Sequence, residues 1–354
     1  MLYKRYIILS LFLVFCILGT IAAFNYAIDP GNLFGKDQML KRCGDWLLEG
    51  RAVAVTQNYD ERLLQKYLIE HDKQSYDVIV IGSSRSMGIG RALFSEQSFK
   101  NYSVSGASLK DDVALYFLYE QWHGTPKKVI IGVDAWLLNC HRDESRWQSI
   151  ADAYAYGKAK ISRDEPGSGE LFLEKYSQLI SWPYLKASIE KVKRKRTADG
   201  SDGVFLVDNF ERIPENAAVV LPDGSHIAST KEQTKDADAA AQQFIAKRID
   251  ALDNYDDSEK TEFRALISYL KKHDVEVVLY LTPYHPIAYL HMEQTERYQK
   301  ALKTEQLVKE LAAEGGIVVV GSYNPAQCGV FGTDFTDEMH LRREAVQRIL
   351  EGKL

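Results

Sequence analysis

The sequence predicts an α/β domain built on a parallel sheet with helices on both faces, carried behind an apolar N-terminal segment and interrupted by an insert. Short apolar runs rich in β-branched residues recur along the chain, and helix-length stretches lie between them. The rhythm fails across one interval of roughly 110 residues, too long for a plain crossover. Runs of the first kind suit strands buried on both faces, and strands alternating with such helices make βαβ units.

Residues 6–28 are almost wholly apolar, with Lys4 and Arg5 just ahead of them. About 20 such residues cross a bilayer as a helix, and the flanking positive charge favours an inside N-terminus. Everything from Asp29 onward is then exported, to the periplasm or the cell surface. A cleaved signal peptide is the alternative, because Ile21-Ala22-Ala23 is a tolerable cleavage context. The run continues past it into Phe24, Tyr26, Ala27 and Ile28, which favours an uncleaved anchor over residues 1–28.

Residues 29–75 read as an entry segment, with an Asp29-Pro30-Gly31 turn and a charged, helix-prone stretch at 61–73. The first strong strand is Asp77-Val78-Ile79-Val80-Ile81-Gly82. A weaker one is Asn101-Tyr102-Ser103-Val104-Ser105, and Lys128-Val129-Ile130-Ile131-Gly132-Val133-Asp134 is the next. With a helix at 109–122, these make residues 76–140 the first half of the domain. The second half, residues 253–354, holds strands at 275–282 and 316–321 and helices at 260–273, 289–314 and 341–350. Residues 141–252 read as an inserted cap or lid, a common place for substrate selection. Within it, residues 185–192 have an amphipathic helical pattern, and Leu221-Pro222-Asp223-Gly224-Ser225 reads as a hairpin turn. The basic run Lys191-Val192-Lys193-Arg194-Lys195-Arg196 is either a solvated helix end or a contact for anionic lipid or glycan.

Composition narrows the function. The chain of 354 residues is 45% hydrophobic and 26% charged, which excludes a disordered or multi-pass membrane protein. Its net charge of -5 gives no basic excess for a phosphate backbone, so no nucleic-acid partner is expected. Four cysteines are too few for a disulfide scaffold, and no zinc-type Cys/His spacing occurs; neither metal nor other cofactor is expected.

Two segments carry residues suited to chemistry. Gly82-Ser83-Ser84-Arg85-Ser86 follows the first core strand, where an open parallel sheet binds its ligands. A turn that merely caps the next helix would read the same. Near the other end, Asp337 and His340 stand three apart after the last core strand. A serine hydroxyl needs a base to take its proton, and that base works best when a carboxylate fixes its tautomer. His285, in Pro283-Tyr284-His285-Pro286 after the strand at 275–282, is a further candidate for substrate contact or proton transfer, or a packed histidine in a rigid loop.

The Gly82-Ser83-Ser84 block, the Gly106 block in Val104-Ser105-Gly106-Ala107-Ser108 and the closing Asp337-x-x-His340 block together resemble the SGNH/GDSL hydrolase superfamily. The closest resemblance is to its membrane-anchored branch of DltD-like and alginate-acetylation proteins. It spans most of the core, about residues 76–140 and 258–351, without the insert. It implies a flavodoxin-like three-layer domain with Ser84 as nucleophile, or Ser83 if the alignment slips by one residue. His340 would be general base and then acid, and Asp337 its orienting carboxylate. The N–H groups of Ser84 and Gly106 would hold the oxyanion. Where the family ends a strand with Gly-x-Asn-Asp, this chain has Gly132-Val133-Asp134-Ala135. Either Asp134 turns away, or Asn139 or Arg85 substitutes as donor, or the site does not perform simple hydrolysis. Ser83, Arg85, Asp134 and His285 remain candidates for substrate contact.

The function so implied is acyl transfer to or from a cell-envelope polysaccharide or lipid-linked glycan, with a multi-pass membrane protein as acyl donor. An esterase or deacetylase on the same polymers, and a non-catalytic assembly protein retaining the fold, are the alternatives.

Overall fold

The computed structural model describes residues 2–29, 38–56, 59–138, 146–162, 178–182, 184–186, 188–189, 192, 203–247 and 257–354. Asn139 and most of the basic run at 191–196 therefore lie outside the described residues. The chain divides into two units, residues 1–42 with 166–202, and residues 43–165 with 203–354.

In the first unit, helix α1 (Leu2–Ile28) is the one described helix long and apolar enough to cross a membrane. The second unit contains the strands, in chain order β1 (Val53–Val55), β2 (Val78–Ile81), β3 (Phe99–Asn101), β4 (Lys128–Val133), β5 (Val204–Leu206), β6 (Ala218–Val220), β7 (His226–Ile227), β8 (Glu276–Leu281) and β9 (Val318–Gly321). Helix α2 (Gln38–Leu48) leads into this unit. Its further helices of two or more turns are α3 (Glu61–His71), α4 (Leu109–His123), α5 (Ala151–Ser162), α6 (Ala237–Lys247), α7 (Asp257–Lys272), α8 (Pro286–Gln294), α9 (Glu296–Gly315) and α10 (Arg343–Leu350).

Five strands pair all-parallel in the order β3-β2-β4-β8-β9. Counted within this sheet alone, that order is 2-1-3-4-5. The apolar runs are continuous because both faces are covered. Ile79, Ile81, Val129, Ile131, Leu279 and Leu281 face a core shared with α4, α5, α7 and α9. Their neighbours Val78, Val80, Ile130, Val278 and Tyr280 face Ile89, Phe94 and Phe99 and the apolar side of α10.

The weak fifth strand lies two residues earlier than its sequence pattern predicts. β3 ends at Asn101, but Tyr102 and Val104 go on donating to the carbonyls of Val80 and Gly82, at 2.8 and 2.9 Å. The single helix predicted over 289–314 is two, because Thr295 adopts extended backbone between α8 and α9. A second, antiparallel sheet was not visible in the sequence. It has the order β5-β1-β6-β7, so the entry segment supplies one strand and the insert three. The hairpin turn at 221–225 joins β6 to β7 as its residues predict, with Gly224 at φ +80°. That turn packs on the end of β3: a Cβ at Gly224 would stand 2.0 Å from the Asn101 carbonyl oxygen, so only glycine fits.

Candidate active site

The loop after β2 is shaped by two glycines on adjacent strands. Gly82 has φ +142°, and a Cβ there would lie 2.9 Å from the Gly132 Cα. A Cβ at Gly132 would overlap the Ser86 hydroxyl, which tucks over the end of β4. With both side chains missing, the chain turns tightly off the sheet into a short 3-10 helix, Ser84–Ser86. Ser83 is fully buried, and its hydroxyl caps that helix by accepting from the Arg85 N–H at 3.1 Å. Ser84 is partly exposed, while Ser83, Arg85 and Ser86 beside it are buried.

Ser84 Oγ lies 2.9 Å from His340 Nε2. On the other side of the ring, His340 Nδ1 is 2.8 and 3.0 Å from the two Asp337 oxygens. An ionised carboxylate only accepts, so Nδ1 carries the proton and Nε2 is left to accept from the serine. Asp337 is fixed in turn by the N–H groups of Met339 and His340, at 2.9 and 2.8 Å. Burial alone would raise its pKa, yet the bond from His340, the imidazole charge and these two N–H groups lower it to about 2. For His340, burial works against the charged ring, but the hydrogen bond and charge of Asp337 outweigh it and its pKa rises above 6.5. The imidazole is thus basic enough to take a proton and sits in line to do so.

Arg85 and Asp134 form a buried ion pair at 2.8 Å, their side chains 0% and 3% exposed. Arg85 also donates to the carbonyls of Thr282, Pro283 and Met339 at 2.6, 2.9 and 3.1 Å, and its guanidinium stacks on Tyr284, 4.1 Å from the ring centre. Asp134 is therefore neutralised and turned away from the surface, and Arg85 ties the loops after β2, β4, β8 and β9 together. Both side chains are shut away from solvent. His285 is also buried. Its Nδ1 accepts from the Ile287 N–H at 3.3 Å, opening α8, and its Nε2 is 3.1 Å from Asp238 on α6. Burial lowers its pKa, against the pull of Asp238, and the ring packs between the insert and the loop after β8.

Gly106 follows β3 with φ +57°, and neither its N–H nor that of Ser84 donates a hydrogen bond among the described residues. The residue before it is held from the entry segment. The Glu61 carboxylate accepts from both the N–H and, at 2.8 Å, the hydroxyl of Ser105. Beside it Arg62 makes a two-pronged pair with Asp111, at 2.6 and 3.0 Å, and reaches the Ser105 carbonyl. Asp111 completes a capping box with Ser108 at the start of α4. The spacing Ser108-x-x-Asp111 announces that cap; nothing in the sequence announces Glu61 or Arg62. Asp112 next to it is fully buried with no hydrogen-bond partner among the described residues, and burial, then the charges of Asp111 and Asp134, push its pKa well above the usual carboxylate range.

The chain matches no protein-family model and no curated protein sequence.

Proposed function

We propose that the chain is a membrane-tethered serine acyltransferase of the SGNH/GDSL kind, working outside the cytoplasm on a cell-envelope polysaccharide or lipid-linked glycan. The observation that carries this reading is the hydrogen-bonded chain Ser84–His340–Asp337, assembled from residues 256 positions apart. The 2-1-3-4-5 sheet order supports a flavodoxin-like frame, in which ligands meet the carboxyl ends of the strands. An N-terminal helix whose apolar run follows Lys4 and Arg5 supports export with a tether.

In this reading His340 Nε2 takes the Ser84 proton as Oγ attacks the acyl carbonyl. The developing oxyanion is held by the N–H groups of Ser84 and Gly106. The donor's leaving group departs with the proton from His340, leaving an acyl ester on Ser84. A sugar hydroxyl then attacks that ester and gives its proton to His340, which returns it to Ser84 as the new ester leaves. A single apolar helix cannot carry an acyl group across a membrane, so a multi-pass partner supplies the donor outside. One oxyanion donor is worth about 3–4 kcal/mol, and the position where the family has Asn holds Asp134, already paired with Arg85.

The test uses the detergent-solubilised full chain with an activated acetyl ester as donor and envelope polysaccharide as acceptor. Ester should appear on the polymer with the intact chain and with Ser83→Ala, and vanish with Ser84→Ala. Release of free acetate at a rate indifferent to the polymer would replace the transferase with an esterase. Absence of both products would leave an assembly protein.

A further inference from the structure

We propose that the segment carrying Leu179, Ile180, Trp182, Tyr184, Ser188 and Ile189 lies in the membrane interface, giving the chain a second contact with the bilayer beside α1. The inference rests on reading α1 as a membrane span and goes beyond the acyl chemistry. From Tyr6 to Asn25 the helix rises about 30 Å, the thickness of the hydrocarbon layer. With Lys4 and Arg5 in one headgroup layer, Asn25 stands at the far boundary of the other. Asn25 is fully buried, and its side chain is bonded to this segment. Its amide donates to the Leu179 carbonyl at 2.8 Å and accepts from the Ser188 hydroxyl at 2.7 Å. One turn further on, Asp29 accepts from the Tyr184 hydroxyl at 2.9 Å. These bonds fix the segment at the level where hydrocarbon gives way to headgroups.

On the same segment, Ile180, Trp182 and Ile189 are 52%, 73% and 39% exposed. Three large apolar side chains open to water within about ten residues leave apolar surface that a covering partner would remove from water. At the glycerol and upper acyl level they have a partner, and tryptophan is the side chain that settles there, apolar body inward and N–H outward. The occupant of this face is therefore phospholipid. Continuity with α1 argues for it: the polar groups that would trouble an anchor at that depth are the ones the segment covers.

The experiment places the full chain in phosphatidylcholine vesicles and measures tryptophan quenching. The quenchers are lipid brominated near the glycerol end of the acyl chain, lipid brominated near the bilayer centre, and aqueous iodide. The share of Trp182 is the difference between the intact chain and Trp182→Phe, a change of an exposed side chain that leaves the fold alone. A Phe15→Trp variant reports the span. Trp182 should lose more than about half its emission to the shallow bromines, less to the deep ones and little to iodide, as an interfacial ring does. Phe15→Trp should respond to the deep bromines. If Phe15→Trp responds so while Trp182 answers only to iodide, the face is in water and the proposal is overturned with the span intact. Trp182 insensitive to every quencher means that protein covers the face, which also overturns it. A Phe15→Trp signal without lipid quenching removes the span itself, and the proposal with it.

Discussion

Ser84 is separated from two neighbouring serines by burial rather than by sequence. Ser83 spends its hydroxyl on the Arg85 N–H and Ser86 sits over Gly132, so only Ser84 faces His340. The choice between Ser83 and Ser84, open in the sequence, has this physical basis. On the proposed reading, Asp337 sets the pH range in which the imidazole works. In Asp337→Asn the charge that raises the His340 pKa is gone, so the ascending limb of the pH–rate profile should move to lower pH. The plateau rate should fall on the order of 10⁴-fold, as when the orienting carboxylate of a serine triad is neutralised. An unshifted limb with a full rate would remove Asp337 from the chemistry. The buried pairing of Arg85 with Asp134 bears on stability. Arg85→Met strands a buried carboxylate, and should lower the unfolding free energy by about 3–5 kcal/mol. Adding Asp134→Leu should restore most of that loss in a urea titration. If the double variant is no more stable than the single one, the loss is not that of an unpaired charge.

At the scale of elements, what was legible in the sequence was what depends on near neighbours. Strands β2, β4 and β8 read as apolar runs because helices cover both sheet faces, and the 221–225 turn announced itself through Pro222, Asp223 and Gly224. Asp337 and His340 were legible for the same reason: three residues apart, they meet within one turn. The second sheet was not, because β1, β5 and β6 are three residues each and find partners some 150 residues away. The Glu61–Ser105 latch joins positions 44 apart, and Arg85–Asp134 positions 49 apart, with no local pattern to mark either. The entry segment thereby holds the turn that presents the Gly106 N–H. Glu61→Ala should reduce kcat about 10- to 100-fold through a misplaced donor, with KM and melting temperature little changed. Glu61→Gln, which still accepts through its carbonyl, should recover most of the rate. A loss in KM alone, or a collapse of the fold, would make Glu61 a binding or structural residue rather than a positioning one.

At the scale of the molecule, Ser84, the Gly106 turn, Asp134, the 282–285 loop and the 337–340 turn all follow the carboxyl ends of parallel strands. β2 and β4 flank the point where the strand order reverses, and the loops after them carry Ser84 and Asp134. The topology therefore puts the nucleophile candidate where an open sheet leaves a crevice, while Arg85 clamps four of the loops around it. In the proposed function this arrangement activates Ser84. Its most direct test is the intact mass of the full chain after exposure to a fluorophosphonate, beside Ser83→Ala, Ser84→Ala and His340→Gln. A single adduct on the intact chain and on Ser83→Ala, lost in Ser84→Ala and greatly slowed in His340→Gln, is the predicted result. An intact chain that takes no adduct, or an adduct that survives Ser84→Ala, would contradict it.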